Sequence, residues 1–192
     1  MQLRPALFLD RDGVLIENRP DYVRVLDHVI FIPGALEALA RFHQHRPEWR
    51  IIVVSNQAGI GRGLIAPDTA EAINAEVRRR VAESGGHINA IYICPHRAAE
   101  DCDCRKPKPG LLLQAAREWG LDLAGSVMVG DSATDVMAAR AAGVRPIFVR
   151  TGLPERLADE QAAAAHLQAA VHRNLSEAVA QLLDHSHTNA PN

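Results

Sequence analysis

The chain has 192 residues, close to one domain at roughly 100–200 residues per domain. Apolar residues make up 47% and charged residues 23%, a globular balance that excludes a disordered or fibrous chain. A net charge of −2 and only 4% aromatics argue against a nucleic-acid or anionic-lipid surface. No apolar run approaches the roughly 20 residues of a membrane span, and Met1–Phe8 lacks a basic-then-apolar leader, so a soluble, cytoplasmic protein is expected.

In chain order, short apolar runs alternate with longer helical patterns. Ala6–Leu9, Ile51–Val54, Ala90–Ile93, Val127–Val129 and Pro146–Val149 read as strands buried on both faces. Helices are predicted near Gly34–His45, Asp68–Ser84, Gly110–Trp119 and Thr134–Ala142. The second has Pro67 at its start and Gly85-Gly86 beyond its end, and the fourth stops at Gly143. From Leu153 the tail reads as one or two helices ending near Leu183. The alternation predicts an α/β fold: a Rossmann-like parallel sheet with helices on both faces, a single domain over 1–184 and a frayed tail over 185–192. His185 and His187 in that tail read as solvated.

In such sheets ligands collect at the carboxyl ends of strands, and four polar clusters fall there. Asp10-Arg11-Asp12-Gly13-Val14 offers two carboxylates two residues apart, fit for a nucleophile and a general acid/base around a divalent cation. Ser55-Asn56-Gln57 offers a hydroxyl and amides able to donate to phosphate oxygens. Ala58-Gly59-Ile60-Gly61-Arg62-Gly63 lacks the Lys-Ser/Thr of a Walker loop and reads as a mobile loop carrying one arginine. Gly130-Asp131-Ser132-Ala133-Thr134-Asp135 brings acids after the fourth strand. Taken singly, these clusters also read as turns and helix caps.

The three cysteines all lie between Cys94 and Cys104, which points to metal rather than a disulfide framework. Cys94-Pro95-His96 and Cys102-Asp103-Cys104 give three thiolates and an imidazole, a closed tetrahedral set for a structural Zn²⁺. The loop leads straight into Arg105-Lys106, so bound zinc is expected to fix these cations over the strand ends.

Together the clusters resemble the haloacid dehalogenase superfamily of phosphotransferases over about Ala6–Gly152. Asp10-Arg11-Asp12-Gly13-Val14 matches its first motif, Ser55 its second, Lys106 its third, and Gly130-Asp131 with Asp135 its fourth. The resemblance implies that Asp10 attacks phosphorus to form an aspartyl-phosphate and that Asp12 serves as acid, then base. It implies Ser55 and Lys106 on the phosphoryl group, and Mg²⁺ on Asp10, the backbone carbonyl of Asp12 and Asp131. Asp135 is expected to orient Lys106 or support the metal. Arg11, Asn56, Gln57 and Arg105 are expected at the substrate.

The Val14–Ser55 and Ser55–Lys106 intervals leave little room for a cap domain. The zinc loop resembles a capless branch that contains D-glycero-D-manno-heptose 1,7-bisphosphate phosphatases and histidinol-phosphatases. Asn56–Gly63 and Asp21-Tyr22-Val23 resemble the heptose side, although Asp21 stands in place of a glycine and Ser132 where lysine is frequent. The implied reaction is hydrolysis of the C7 phosphate of the heptose bisphosphate, with histidinol phosphate or another small phosphomonoester as the alternative. Arg62, Arg105 and Arg19 are candidates to hold the remote phosphate. The expected partner is thus a small sugar phosphate, with no nucleic acid or membrane, met by a monomer. A zinc-ordered interaction protein without catalysis is the reading from another class, and the joint presence of Asp10, Asp12, Lys106 and Asp131 argues against it.

Overall fold

In the computed structural model, which describes residues 3–184, six parallel strands form one sheet in the order β3-β2-β1-β4-β5-β6. The strands are β1 (Arg4–Leu9), β2 (Arg50–Asn56), β3 (Ala90–Cys94), β4 (Leu121–Gly130), β5 (Arg145–Val149) and β6 (Ala170–His172). The helices are α1 (Ala35–His45), α2 (Ala58–Gly61), α3 (Pro67–Glu83), α4 (Gly110–Trp119), α5 (Ala133–Ala141), α6 (Leu157–His166) and α7 (Leu175–Asp184). The frayed tail expected over 185–192, with His185 and His187, lies outside the described residues.

Period-two alternation sorts the strand side chains into two cores. Leu7, Leu9, Ile51, Val53, Val127 and Val129 pack with Leu39 and Phe42 of α1, Ile73, Val77 and Val81 of α3, and Leu175 and Val179 of α7. Ala6, Phe8, Ile52, Val54 and Met128 face Leu111, Leu112 and Ala115 of α4 and Ala138 and Ala139 of α5. Phe148 meets Val136 and Ala164, so α6 covers the same side. Each large apolar side chain so buried contributes about 1.5–3 kcal/mol. Both faces are covered, as the apolar character of the strands requires.

Three features depart from the sequence expectations. β4 begins at Leu121, well before Val127, because Arg4 and Pro5 pair with Leu121 and Asp122 across a register shift. The polar and glycine residues of Asp122–Ser126 hide that extension from an apolar-run reading. The tail forms two helices with an edge strand, β6, between them. Its three residues pair with Ile147–Val149 of β5, and so short a strand carries no periodicity of its own. The segment Ala58–Gly63, expected as a mobile loop, opens with the helical turn α2. Its Gly61 amide donates to Pro95 O at 2.9 Å, and a Cβ at Gly61 would lie 2.6 Å from that oxygen.

Between β1 and α1 the chain makes only isolated bridges, Asp12 to Ile16 and Ile16 to Phe31, and a short 3-10 helix at Leu26–His28. The excursion is too small for a cap, which leaves the carboxyl ends of the central strands open.

Candidate active site

The site is built where β1 and β4 end side by side. Leu9 lies level with Val129, and the Asp10 amide donates to Val129 O at 3.0 Å. Asp10 and Asp131 therefore leave the sheet as neighbours. Gly13 then turns the chain with φ of +87°, a conformation that favours glycine. A Cβ at Gly13 would fall 2.1 Å from Asp131 Oδ2, so the Asp131 carboxylate occupies space that any side chain there would fill. Gly152, after β5, closes on the same oxygen, and Thr151 Oγ1 donates to Gly13 O at 2.5 Å.

Lys106 reaches this pair from the far side of β2. Its Nζ lies 2.9 Å from Asp10 Oδ1 and 2.6 Å from Asp135 Oδ1, and donates to Val54 O at 2.8 Å. Asp135 itself is fixed at the start of α5: its Oδ2 accepts from Ser132 N at 3.1 Å and Ser132 Oγ at 2.6 Å. Asp135 thus pairs directly with Lys106.

Oxygens of Asp10, Asp131 and Asp135 lie within 4.8 Å of one another. Burial pushes the Asp10 carboxyl up to about 6, with Lys106 opposing and Asp135 and Asp12 adding to the rise. Burial raises Asp131 well above the ordinary range, reinforced by the charges of Asp10 and Asp135. Burial works against the Lys106 ammonium, but Asp10 and Asp135 outweigh it and hold its pKa above the usual value. Three carboxylates thus share one ammonium in a desolvated pocket. That all-oxygen, net-negative set suits a hard divalent cation such as Mg²⁺. The Asp12 carboxylate is not in this group.

Asp12 turns instead toward Arg11. Its Oδ1 accepts from Arg11 Nε at 2.9 Å, and its Oδ2 from Arg11 Nη2 at 3.1 Å and Gln57 Nε2 at 2.9 Å. Gln57 also donates to Ser55 Oγ at 2.9 Å. Arg11 is 0% exposed and Gln57 1%; both side chains hydrogen-bond Asp12 from within the protein, and neither is among the walls of the cleft. Asn56 borders the cleft, but its amide exchanges two hydrogen bonds with the Lys106 backbone.

The cleft has a volume of about 320 Å³, and its walls include Asp10, Asp12, Ser55, Lys106 and Asp131 at the base. Arg19 and Arg105 are half-buried in its wall, and Arg19 Nε, shielded from solvent, makes no hydrogen bond. Arg62 is exposed and lies outside these walls. Sequence reasoning missed Asn18, which donates to Asp131 Oδ2 at 3.1 Å. It also missed Arg156 and Glu160, brought over the cleft by α6; Glu160 Oε2 accepts from Ala133 N at 2.7 Å. A tail helix was expected from Leu153 onward, but no polar cluster in it marked these two residues.

The four soft ligands converge at the end of β3. Cys104 Sγ lies 3.1 Å from Cys94 Sγ, 3.4 Å from Cys102 Sγ and 3.2 Å from His96 Nδ1, and Cys94 and Cys102 are 3.5 Å apart. None of the three cysteines is in a disulfide. Three sulfurs and an imidazole at these separations fit one thiophilic ion better than a set of packed thiols. Arg105 Nη1 donates to His96 O at 3.3 Å, so the cluster and the cleft wall are joined.

A family model described as HAD-hydrolase-like matches residues 103–178. The D-glycero-beta-D-manno-heptose-1,7-bisphosphate 7-phosphatase of Pseudomonas aeruginosa is 46% identical over 149 residues, 78% of this chain and 83% of that one. Its counterpart from Bordetella bronchiseptica is 42% identical over 146 residues, 76% of this chain and 80% of that one. The crystal structure of the D,D-heptose 1,7-bisphosphate phosphatase from B. bronchiseptica, complexed with magnesium and phosphate, superposes with a TM-score of 0.85 at 36% identity. That match covers 94% of this chain and 99% of the other.

Proposed function

The chain belongs to the haloacid dehalogenase superfamily, within the family of heptose bisphosphate phosphatases, and we propose that it hydrolyses the 7-phosphate of D-glycero-beta-D-manno-heptose 1,7-bisphosphate. The observation that carries the reading is Asp10, a half-buried carboxylate 2.9 Å from Lys106 and grouped with Asp131 at the open ends of parallel strands.

The Asp10 carboxylate attacks the 7-phosphorus, an Asp10 O–P bond forms, and the bond from phosphorus to the sugar oxygen breaks. Asp12 delivers a proton to that leaving oxygen. A water then attacks the aspartyl-phosphate, gives its proton to Asp12, and breaks the Asp10–phosphorus bond to release inorganic phosphate. Ser55 and Lys106 neutralise and hold the equatorial oxygens of the transferring group. Asp10, Asp131 and the backbone carbonyl of Asp12 would hold Mg²⁺, which supplies charge neutralisation at the phosphoryl group. Cys94, His96, Cys102 and Cys104 would hold a structural Zn²⁺ that keeps Arg105 and Lys106 in register with the cleft. Arg105 and Arg19 would take the remote 1-phosphate. The enzyme is proposed to work as a cytoplasmic monomer on a free sugar phosphate.

The test is phosphate release with Mg²⁺, comparing kcat/KM for the heptose bisphosphate and for histidinol phosphate. A strong preference for the bisphosphate is expected. A preference for histidinol phosphate would overturn the substrate and leave the roles of Asp10 and Asp12 standing.

A further inference from the structure

Among the described residues, Arg11 is the largest fully buried side chain, and it is charged. Removing a guanidinium from water costs several kcal/mol unless it is paired and fully hydrogen-bonded. Its pairing is specific. The Nε and Nη2 edge forks both oxygens of Asp12 at 2.9 and 3.1 Å, and Nη1 donates to Asn74 Oδ1 at 2.7 Å.

Asn74 is itself out of place on local grounds. It sits inside α3 between Ile73 and Val77, 4% exposed, on the face that packs into the core. Asparagine is a weak helix former, and a buried amide without a partner is costly. A leucine would satisfy both the helix and the core. The residue makes sense as the third point of support for Arg11, whose backbone carbonyl is also pinned by the amides of Leu15 at 3.0 Å and Ile16 at 3.1 Å.

We infer that Arg11 and Asn74 are positioning residues for Asp12: a rigid arm anchored in α3 that presents the acid/base carboxylate to the leaving oxygen. Neither touches substrate, and the inference rests on the phosphatase reading of Asp10 and Asp12. The fork uses one edge of the guanidinium and the amide uses the other side, so the arm fixes both the position and the rotation of the Asp12 carboxylate. Gln57 holds the same Oδ2 at 2.9 Å from β2's end, and the remaining face of the carboxylate is left toward the cleft. Only the planar fork of arginine makes all three contacts from one side chain.

The experiment separates this role from a general effect on the fold. An alkoxide leaving group needs the proton from Asp12, whereas p-nitrophenolate leaves without one. For a covalent phosphatase kcat/KM reports steps up to departure of the first product, so the later use of Asp12 as base does not enter. Arg11→Lys and Asn74→Leu are compared with wild type on p-nitrophenyl phosphate and on the heptose bisphosphate, or on whichever alkyl phosphate the wild type turns over best. The ratio of the two kcat/KM values is independent of the fraction of enzyme that is folded, so partial unfolding does not obscure it.

In both variants kcat/KM for the alkyl phosphate is expected to fall at least about 10-fold more than for p-nitrophenyl phosphate, the scale of impaired general acid catalysis. Equal losses on both substrates, or no loss on either, would overturn the positioning role. The phosphatase reading fails separately, if wild type with Mg²⁺ releases phosphate from no substrate or if Asp10→Asn retains turnover of p-nitrophenyl phosphate.

Discussion

Asn56 grips the backbone of Lys106 at both ends of one peptide unit's reach: its carbonyl oxygen accepts from the Lys106 amide at 3.0 Å, and its NH₂ donates to the Lys106 carbonyl at 3.0 Å. A carboxamide is the side chain that offers a donor and an acceptor together at that spacing. The clamp ties the end of β2 to the segment that leaves the cysteine cluster, and so sets where Nζ meets Asp10.

Asn56→Asp keeps the acceptor but sets an oxygen against the Lys106 carbonyl. Lys106 is expected to shift, and a displacement near 1 Å costs on the order of 100-fold in rate. The expected outcome is a loss of about 10- to 100-fold in kcat for p-nitrophenyl phosphate with a smaller change in KM. An unaltered kcat would mean that the clamp does not govern Nζ.

Asp10→Asn removes the nucleophile while keeping its volume. It also removes one acid from the cluster of three, so the fold is expected to survive, with Lys106 still paired to Asp135 at 2.6 Å. Phosphate release should vanish while the thermal midpoint stays within about 4 °C of wild type or rises, a shift on the scale of about 1 kcal/mol in a domain of this size. Residual turnover near the wild-type rate would exclude Asp10 as the nucleophile.

The same acids set a pH dependence with a definite sign. Burial raises Asp10 to about 6, above its ordinary 3.8, and Asp131 moves in the same direction. The folded, metal-free protein therefore holds protons that the unfolded chain releases. This contribution to stability is complete below about pH 4 and is lost as pH rises through about 6. A divalent cation binds the deprotonated acids and cancels their repulsion. Added Mg²⁺ should thus raise the melting temperature more at pH 7.5 than at pH 5. Equal increments at the two pH values would mean that Asp10 and Asp131 do not bind the ion.

The strand ends were legible because buried parallel strands are continuous apolar runs, and a polar break such as Leu9-Asp10 or Gly130-Asp131 marks the point where chemistry can begin. Cys94–Cys104 was legible as a set because soft ligands within so short a span have few other uses. The direction of side chains was not. Arg11 and Gln57 sit in the same motifs as Asp12 and Ser55, yet point into the protein, since neighbours on an irregular turn share no common face. Asn18, Asn74 and Arg156 lie outside every motif; they meet the site through the fold of the first loop, α3 and α6.

Removing metal from the cysteine cluster should act on the cleft through Arg105. Burial pushes the Cys94 thiol up to about 12, so without an ion this sulfur stays protonated and contributes no ligand charge to order the loop. Cys102→Ser, purified in Zn²⁺, is expected to carry less than one zinc per chain. It should also show a raised KM for the bisphosphate, while Mg²⁺-dependent stabilisation through Asp131 persists. Full activity with no bound zinc would overturn the positioning role of the cluster.

Arg62 and Arg105 separate two ways of holding a second phosphate. Arg62 is exposed beyond the cleft wall, whereas Arg105 is half-buried within it and braced by His96 O at 3.3 Å. A guanidinium already held in place loses little freedom when it accepts a phosphate, and the surrounding wall reduces the screening that weakens an exposed pair. Arg105→Ala is therefore expected to raise KM for the bisphosphate about 10-fold or more, the scale of a lost charged hydrogen bond of about 1.5–3 kcal/mol. Its effect on a monophosphate such as p-nitrophenyl phosphate should be smaller. Arg62→Ala should leave the ratio of the two KM values within about 2-fold of wild type, as expected for a solvated charge. If Arg62→Ala selectively weakens the bisphosphate and Arg105→Ala does not, the second phosphate lies on the α2 side of the opening, outside the wall that Arg105 forms.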